Sequence, residues 1–474
     1  MKTLLTQTLT IGLVVLLGGQ SMSAGNSSSN EAIDIGSRLE LFVDRHLIDS
    51  LDGAELRMHR PQRLPLAASP LGAGAYSTVI KDGDLYRAYY RSDDSSYKGK
   101  RGYSGHPGEI TCYAESRDGH EWAFPSLGLH EINGSRDNNV ILAGLAPFSH
   151  NFSPFLDTRP GVAAEERYKA LAGHPGYDRD AHGEGLHAFT SADGIRWRKT
   201  SDEPVIPYDR SWPHAFDSQN VSFWSEAEQL YVCYFRTWLT QHGKLRTISR
   251  TTSPDFVHWS KPNAMEPNRP GEHLYTSQTH PYFRAPHIYI ALPTRFQPKR
   301  GNSTDILFMT TRAGSTSYER LFTEAFIRPG LDPGRWGNRS NYVALNVVPT
   351  GPAEMSIYHA KSRHRYVLRT DGFVSVGAGS AQGELVTKPL IFRGNELVLN
   401  VSTSAAGSLR VEVRGPDGQP VPGLGLDDCA PVVGDEIERI VGWKGNGSLG
   451  ALAGTPVRLR FTMVECDLYS FRFR

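Results

Sequence analysis

The chain is 474 residues long and carries 51 Lys and Arg against 50 Asp and Glu, a net charge of +1. That length suits two domains, and the even charge excludes a nonspecific nucleic-acid binder or a protein steered to anionic membrane, both of which need a basic face. The 47 Gly, 30 Pro and 10% aromatic residues suit many short strands joined by turns.

Residues 1–24 read as a signal peptide. Lys2 supplies the positive end, 9–17 is mostly apolar, and Ser21, Ser23 and Ala24 offer a cleavage site. The apolar run is short for a bilayer span, so release to a secreted or periplasmic location is expected, with no membrane partner after cleavage. Residues 25–38 are expected to form a flexible linker.

From 39 to 370 a degenerate repeat dominates. Ser116-Arg-Asp-Gly-His-Glu-Trp122, Ser191-Ala-Asp-Gly-Ile-Arg-Trp197 and Ser253-Pro-Asp-Phe-Val-His-Trp259 share one spacing, and Thr311-Arg-Ala-Gly-Ser-Thr-Ser-Tyr318 is a weaker copy. Asp-Gly forms a tight turn because Gly accepts positive φ. Alternating strand patterns precede each copy (Ile110-Thr-Cys-Tyr-Ala114, Leu186-His-Ala-Phe-Thr190, Arg246-Thr-Ile-Ser-Arg250, Asp305-Ile-Leu-Phe-Met309), and a further strand pair lies upstream of each. A fifth set begins at Glu354-Met-Ser-Ile-Tyr358 without the turn element. Repetition roughly every 60–75 residues predicts an all-β, five-bladed β-propeller, with the strand-like 39–49 segment closing the ring. After 371 the Trp element stops while alternating strands continue, which predicts a small C-terminal β-sandwich over 371–474. Cys112 and Cys233 lie in apolar strand patterns and read as buried thiols, whereas Cys429 and Cys466 leave a disulfide open.

This organisation resembles the five-bladed propeller glycoside hydrolases of families 32 and 43. The resemblance implies a secreted enzyme that cleaves a poly- or oligosaccharide with two carboxyl groups. Family 32 carries Trp-x-Asn-Asp-Pro, Arg-Asp-Pro and Glu-Cys motifs; none is intact here. The first inner strand, opening Ala75-Tyr-Ser-Thr78, lacks the carboxylate these families keep there.

In a propeller the loops before the innermost strands form a funnel. Two carboxylates read as preceding such strands: Asp217, as base or nucleophile, and Glu354, as proton donor. Asp157 reads as a turn residue. Expected substrate-binding groups are His150 and Asn151 in the second repeat, Gln219 and Asn220 in the third, and Gln278, His280, Arg284 and Arg312 in the fourth, Arg312 as a partner for an acidic sugar. His150 also suits a central water or ion. Tyr76, Trp212 and Trp238 read as core aromatics able to stack on sugar rings. No phosphate loop, dinucleotide fingerprint or His-Glu-x-x-His motif is present, so no cofactor and no metal are expected. A non-catalytic carbohydrate-binding propeller and a sialidase-like exoglycosidase are the competing readings.

Overall fold

The computed structural model describes residues 31–174, 184–238, 240–444 and 447–474. The expected signal peptide lies outside the described residues. Among those described, no helix is long and apolar enough to cross a membrane.

The chain is all-β and forms a β-propeller. The first sheet runs Thr78–Asp82, Leu85–Asp93, Glu109–Ser116, Val140–Leu142 from the inside out. The second runs Ser153–Leu156, Tyr168–Ala172, Gly185–Ser191, Arg198–Lys199, and the third Val221–Ser225, Leu230–Thr237, Thr247–Ser253, Asn263–Ala264. In the fourth the hairpin is interrupted at Pro293, which has no N–H to give the ladder. It leaves Ala285–Ala291 paired with Met309–Arg312, and Thr294–Gln297 paired with Ser303–Ile306. The last runs Val348–Pro349, Glu354–Tyr358, Arg365–Arg369, and its outer edge is Gln62–Arg63 from the N-terminal side.

Adjacent inner strands touch in sequence, and a parallel bridge between Thr78 and Leu345 joins the last sheet to the first. One cavity of about 390 Å³ is lined by Ile80, Phe155, Phe223, Tyr282 and Val348, one residue from each inner strand. The sheets therefore surround a shared channel. Large aromatics fill the wedges between them, with Tyr89, Tyr113, Tyr168, Tyr231, Tyr234 and Tyr289 all fully buried.

The sequence repeat is a repeated hydrogen-bonded turn. Ser116 Oγ accepts from Gly119 N (2.9 Å) and donates to Asp118 Oδ1, which accepts from His120 N and Glu121 N. Ser191 with Asp193 and Ser253 with Asp255 repeat the pattern. Gly119 and Gly194 have φ of 73° and 74°; in the third copy Phe256 takes φ 70°.

The N-terminal segment departs from the sequence reading. Residues 39–49 do not close the ring. Glu40–Leu41 pairs with Arg458–Phe473, Ile48–Asp52 with Gly383–Thr387, and Ala54–Met58 with Val374–Ala378. Nor is 25–38 a simple linker, because Ile33–Gly36 pairs in parallel with Leu390–Phe392. These N-terminal strands cover apolar residues of the C-terminal sheet, and that burial outweighs their use as an outer blade strand. Two long strands, Leu397–Arg414 and Arg458–Phe473, form the spine of this sheet. They enclose a core with Leu399, Val411, Phe461 and Leu468, and Phe392 stacks on Phe473 at 3.8 Å. All four cysteines are free and buried, so the disulfide left open in the sequence is not formed.

Candidate functional site

The starts of the inner strands converge on one mouth of the channel. Tyr76, Phe216, Gln278 and Asn346, just before four of these strands, have φ of 55°, 64°, 49° and 78°. Non-glycine residues seldom adopt that conformation and do so mostly where surrounding structure enforces it. Here it turns the chain at the channel rim and presents the following side chains inward.

Asp217 sits at the centre of this mouth. Arg236, at the end of the second strand of the third sheet and 2% exposed, places Nη2 2.8 Å from Asp217 Oδ2. Three imidazoles face the same carboxylate. His150 Nε2 and His174 Nε2 lie 3.4 and 3.5 Å from Oδ1, and His214 Nε2 lies 3.7 Å from Oδ2. Burial pushes the Asp217 carboxyl up, but Arg236 and the imidazoles outweigh it and hold the group well below the usual carboxylate range. Burial pushes His174 below its ordinary value, opposed by Asp217 and reinforced by His150 and His214.

A second carboxylate reaches the site through His150. Glu109 Oε1 and Oε2 lie 3.0 and 2.9 Å from His150 Nδ1. Arg91 Nη1 and the Gly105 N–H approach the same ring nitrogen, at 2.8 and 3.2 Å. His150 Nδ1 thus meets one acceptor group, Glu109, and two donors, and these contacts orient the ring with Nε2 toward Asp217. Burial raises the Glu109 pKa, while the His150 hydrogen bond and Arg91 lower it further, leaving it ionised. A pocket of about 290 Å³ opens beside this pair, lined among others by Arg91, Tyr103, His106 and Arg339. Tyr76 packs edge-on against His150 and carries the Arg91 guanidinium over its ring. Arg236 and Arg246 both lie over the Tyr275 ring, and Arg246 also lies 4.1 Å from the Trp238 ring. These two arginines are thus committed to protein groups.

The amides expected to bind sugar instead seal the channel below Asp217. Gln219 Nε2 donates to Ser77 O and Thr78 Oγ1, and Gln278 Nε2 donates to Gln219 Oε1 and Val343 O. Asn151 donates to Gly173 O and Phe216 O, and Asn220 to Phe216 O and Ser218 O. His280 uses both ring nitrogens internally, toward Gln278 O and Val347 N. Trp212 packs against Phe216 and Phe235, as a core aromatic.

Glu354 does not join Asp217. The innermost strand of the last sheet is Val348–Pro349, and Glu354 begins the strand beside it, after the turn at the far mouth. There it accepts from Arg365 (2.6 Å) and Thr350, with His120 of the first turn element 3.8 Å away. Asp157 lies at that same far end, held by Lys169 at 2.8 Å and Tyr231. Arg284 and Arg312 are also corrected. Arg284 pairs with Asp371 and Glu438, and Arg312 with Glu40 and Asp44, so both tie the propeller to strands of the C-terminal sheet.

The sequence reading missed Glu109, His174, His214, Arg91 and Arg236. One signal was present: Leu85-Tyr-Arg-Ala-Tyr-Tyr-Arg91 and Leu230-Tyr-Val-Cys-Tyr-Phe-Arg236 share a Leu-Tyr-x-x-Tyr-aromatic-Arg pattern that delivers an arginine to the mouth each time. No comparable pattern marks the histidines.

No family model matches the chain, and no curated protein matches it. Among solved structures it is similar to a glycoside hydrolase family 43 arabinoxylan arabinofuranohydrolase from Bacillus subtilis, at 14% identity over 85% of this chain and 96% of that one, with a TM-score of 0.39. It is also similar to an N-acetylgalactosamine deacetylase from F. plautii, at 12% identity over 85% and 95%, TM-score 0.42. A thermostable family-43 glycoside hydrolase aligns at 12% identity over 66% and 95%, TM-score 0.41. Likeness this remote carries no argument about the reaction.

Proposed function

We propose that the chain is an exported, carbohydrate-active hydrolase: a five-bladed propeller with a C-terminal β-sandwich completed by the N-terminal strands, and a reaction centred on Asp217. The observation that carries this reading is the ionised Asp217 carboxylate at the channel mouth, joined through His150 to a second carboxylate, Glu109, beside an open pocket. Asp217 serves as base or nucleophile. The Glu109–His150 pair handles the proton on the other side. Arg91 and Arg339 line the pocket together with Asp93 and Glu109.

The test is turnover on a panel of neutral and acidic oligosaccharides by wild type, Asp217→Asn, Glu109→Gln and Glu354→Gln. Asp217→Asn is expected to lower kcat by roughly 10²–10⁴-fold, with Glu354→Gln within about twofold of wild type. Full activity in Asp217→Asn would refute the assignment. The binding-only reading draws on one observation: both mouth carboxylates are already engaged by protein groups, Asp217 by Arg236 and Glu109 by His150. Retained glycan binding with no turnover on any substrate would favour it.

A further inference from the structure

Three imidazole nitrogens facing one carboxylate at 3.4, 3.5 and 3.7 Å are unusual contacts. They are too long for good hydrogen bonds. His174 is the clearest case. Its side chain is 9% exposed, and among the described residues neither of its ring nitrogens has a hydrogen-bond partner. Asp217 Oδ1, the atom it faces, also has none. A buried imidazole with unmet nitrogens is destabilising, and natural structures seldom keep such groups without a partner that satisfies them.

The spacing itself identifies that ligand. A tetrahedral cation with bonds of about 2.0–2.2 Å to nitrogen and oxygen holds its ligand atoms roughly 3.3–3.6 Å apart. The 3.5 Å between His174 Nε2 and Asp217 Oδ1 matches the edge of such a tetrahedron, and His214 Nε2 approaches the same carboxylate at 3.7 Å from Oδ2. One donor atom from each of His174, His214 and Asp217 falls within 4.8 Å of the other two. Arg236 occupies the Oδ2 side, which leaves Oδ1 to coordinate through a single oxygen. The Glu109 hydrogen bond fixes His150 with its Nε2 turned toward the cluster, as carboxylates do for imidazoles around metal centres.

We propose that His174, His214 and Asp217 bind a divalent transition-metal cation of the zinc class, with His150 bordering an open fourth position that takes a water or substrate oxygen. Two nitrogen donors and one carboxylate oxygen disfavour calcium and magnesium, which take oxygen ligands. Three protein ligands with one open position is the arrangement of hydrolytic rather than structural zinc. The inference rests on the hydrolase reading and revises one part of it: an Asp217 that ligates a cation passes the base or nucleophile role to the water at the open position, and because the test reads metal content rather than turnover, either reading can fail alone.

The full chain, stripped with chelator and dialysed against Zn²⁺, should retain about one zinc per chain by mass spectrometry. His174→Ala and His214→Ala should each abolish retention, and Glu354→Gln, whose carboxylate lies at the far mouth, should keep it. X-ray absorption on the zinc-loaded wild type, which needs no variant, should show at least two imidazole ligands. A folded wild type that retains no zinc, a coordination sphere of oxygen alone, or stoichiometric zinc in folded His174→Ala and His214→Ala would each overturn the proposal.

Discussion

Replacing Arg312 with Met separates a structural arginine from a substrate-binding one. Arg312 Nε lies 2.6 Å from Asp44 Oδ2, and its Nη1 lies 2.9 Å from Glu40 Oε2. Glu40 is fully buried and Asp44 nearly so. Burial pushes the Glu40 carboxyl up, but the His287 hydrogen bond and the Arg312 guanidinium outweigh it and hold the group down at about 2. Relative to an ordinary 4.5, that depression corresponds to about 3 kcal/mol. Because the folded pKa is the lower one, this stability is fully present above about pH 4.5 and is lost as pH falls through about 2. Met keeps much of the volume and removes the charge, leaving Asp44 without its arginine and Glu40 with His287 as its remaining close partner. The expected cost is roughly 3–5 kcal/mol at pH 7. In urea unfolding followed by Trp fluorescence, with slopes of a few kcal/mol per molar, the midpoint should fall by about 1–2 M. The deficit should shrink between pH 7 and pH 4, because Glu40 without Arg312 protonates more readily, and KM for any substrate should stay unchanged. A midpoint within about 0.3 M of wild type at pH 7, or a raised KM without destabilisation, would refute the reasoning.

Asp371 is completely buried and joins Tyr282, Arg284, Asn400 and Ser470 across the propeller and the C-terminal sheet. Asp371→Ala should cost roughly 1–3 kcal/mol, read by calorimetry, because it leaves the buried Tyr282 and Ser470 hydroxyls without their acceptor. Gln278→Ala cuts the amide chain between Gln219 and Val343, and a loss of about 1–3 kcal/mol in chemical unfolding is expected. Burial pushes the Cys112 and Cys466 thiols up to about 12. A thiol reagent should therefore label none of the four cysteines in the native protein and all four after denaturation, whereas a Cys429–Cys466 disulfide would leave only two labelled.

The repeat was legible in the sequence because one turn recurs with fixed chemistry: a Ser that receives backbone N–H groups, an Asp that caps two more, and a residue able to take positive φ. His150 and Asp217 were legible because they stand just before strands with strong alternating pattern. Glu354 misled for a structural reason. The last inner strand, Val348–Pro349, has only two residues, too short to show alternation, so the next strand looked like the innermost one. Arg284 and Arg312 misled because their partners, Asp371 and Glu438 in one case and Glu40 and Asp44 in the other, are remote in sequence. Nothing local distinguishes an arginine bound for a buried ion pair from one bound for a ligand. His174 and His214 sit in loops with no periodicity, and only the closed ring brings them to Asp217.

The pairing of Glu40 with Phe471 sets a timetable for synthesis. Strands within the first 63 residues complete both the final propeller sheet and the C-terminal sheet, so the first cannot close until Arg369 has emerged and the second until Phe473 has. Contacts of such long sequence separation slow folding and prolong the life of incompletely paired species. A ribosome would thus release a chain whose earliest strands still await their neighbours. Until then the unpaired edges of those strands depend on whatever shields them from other chains.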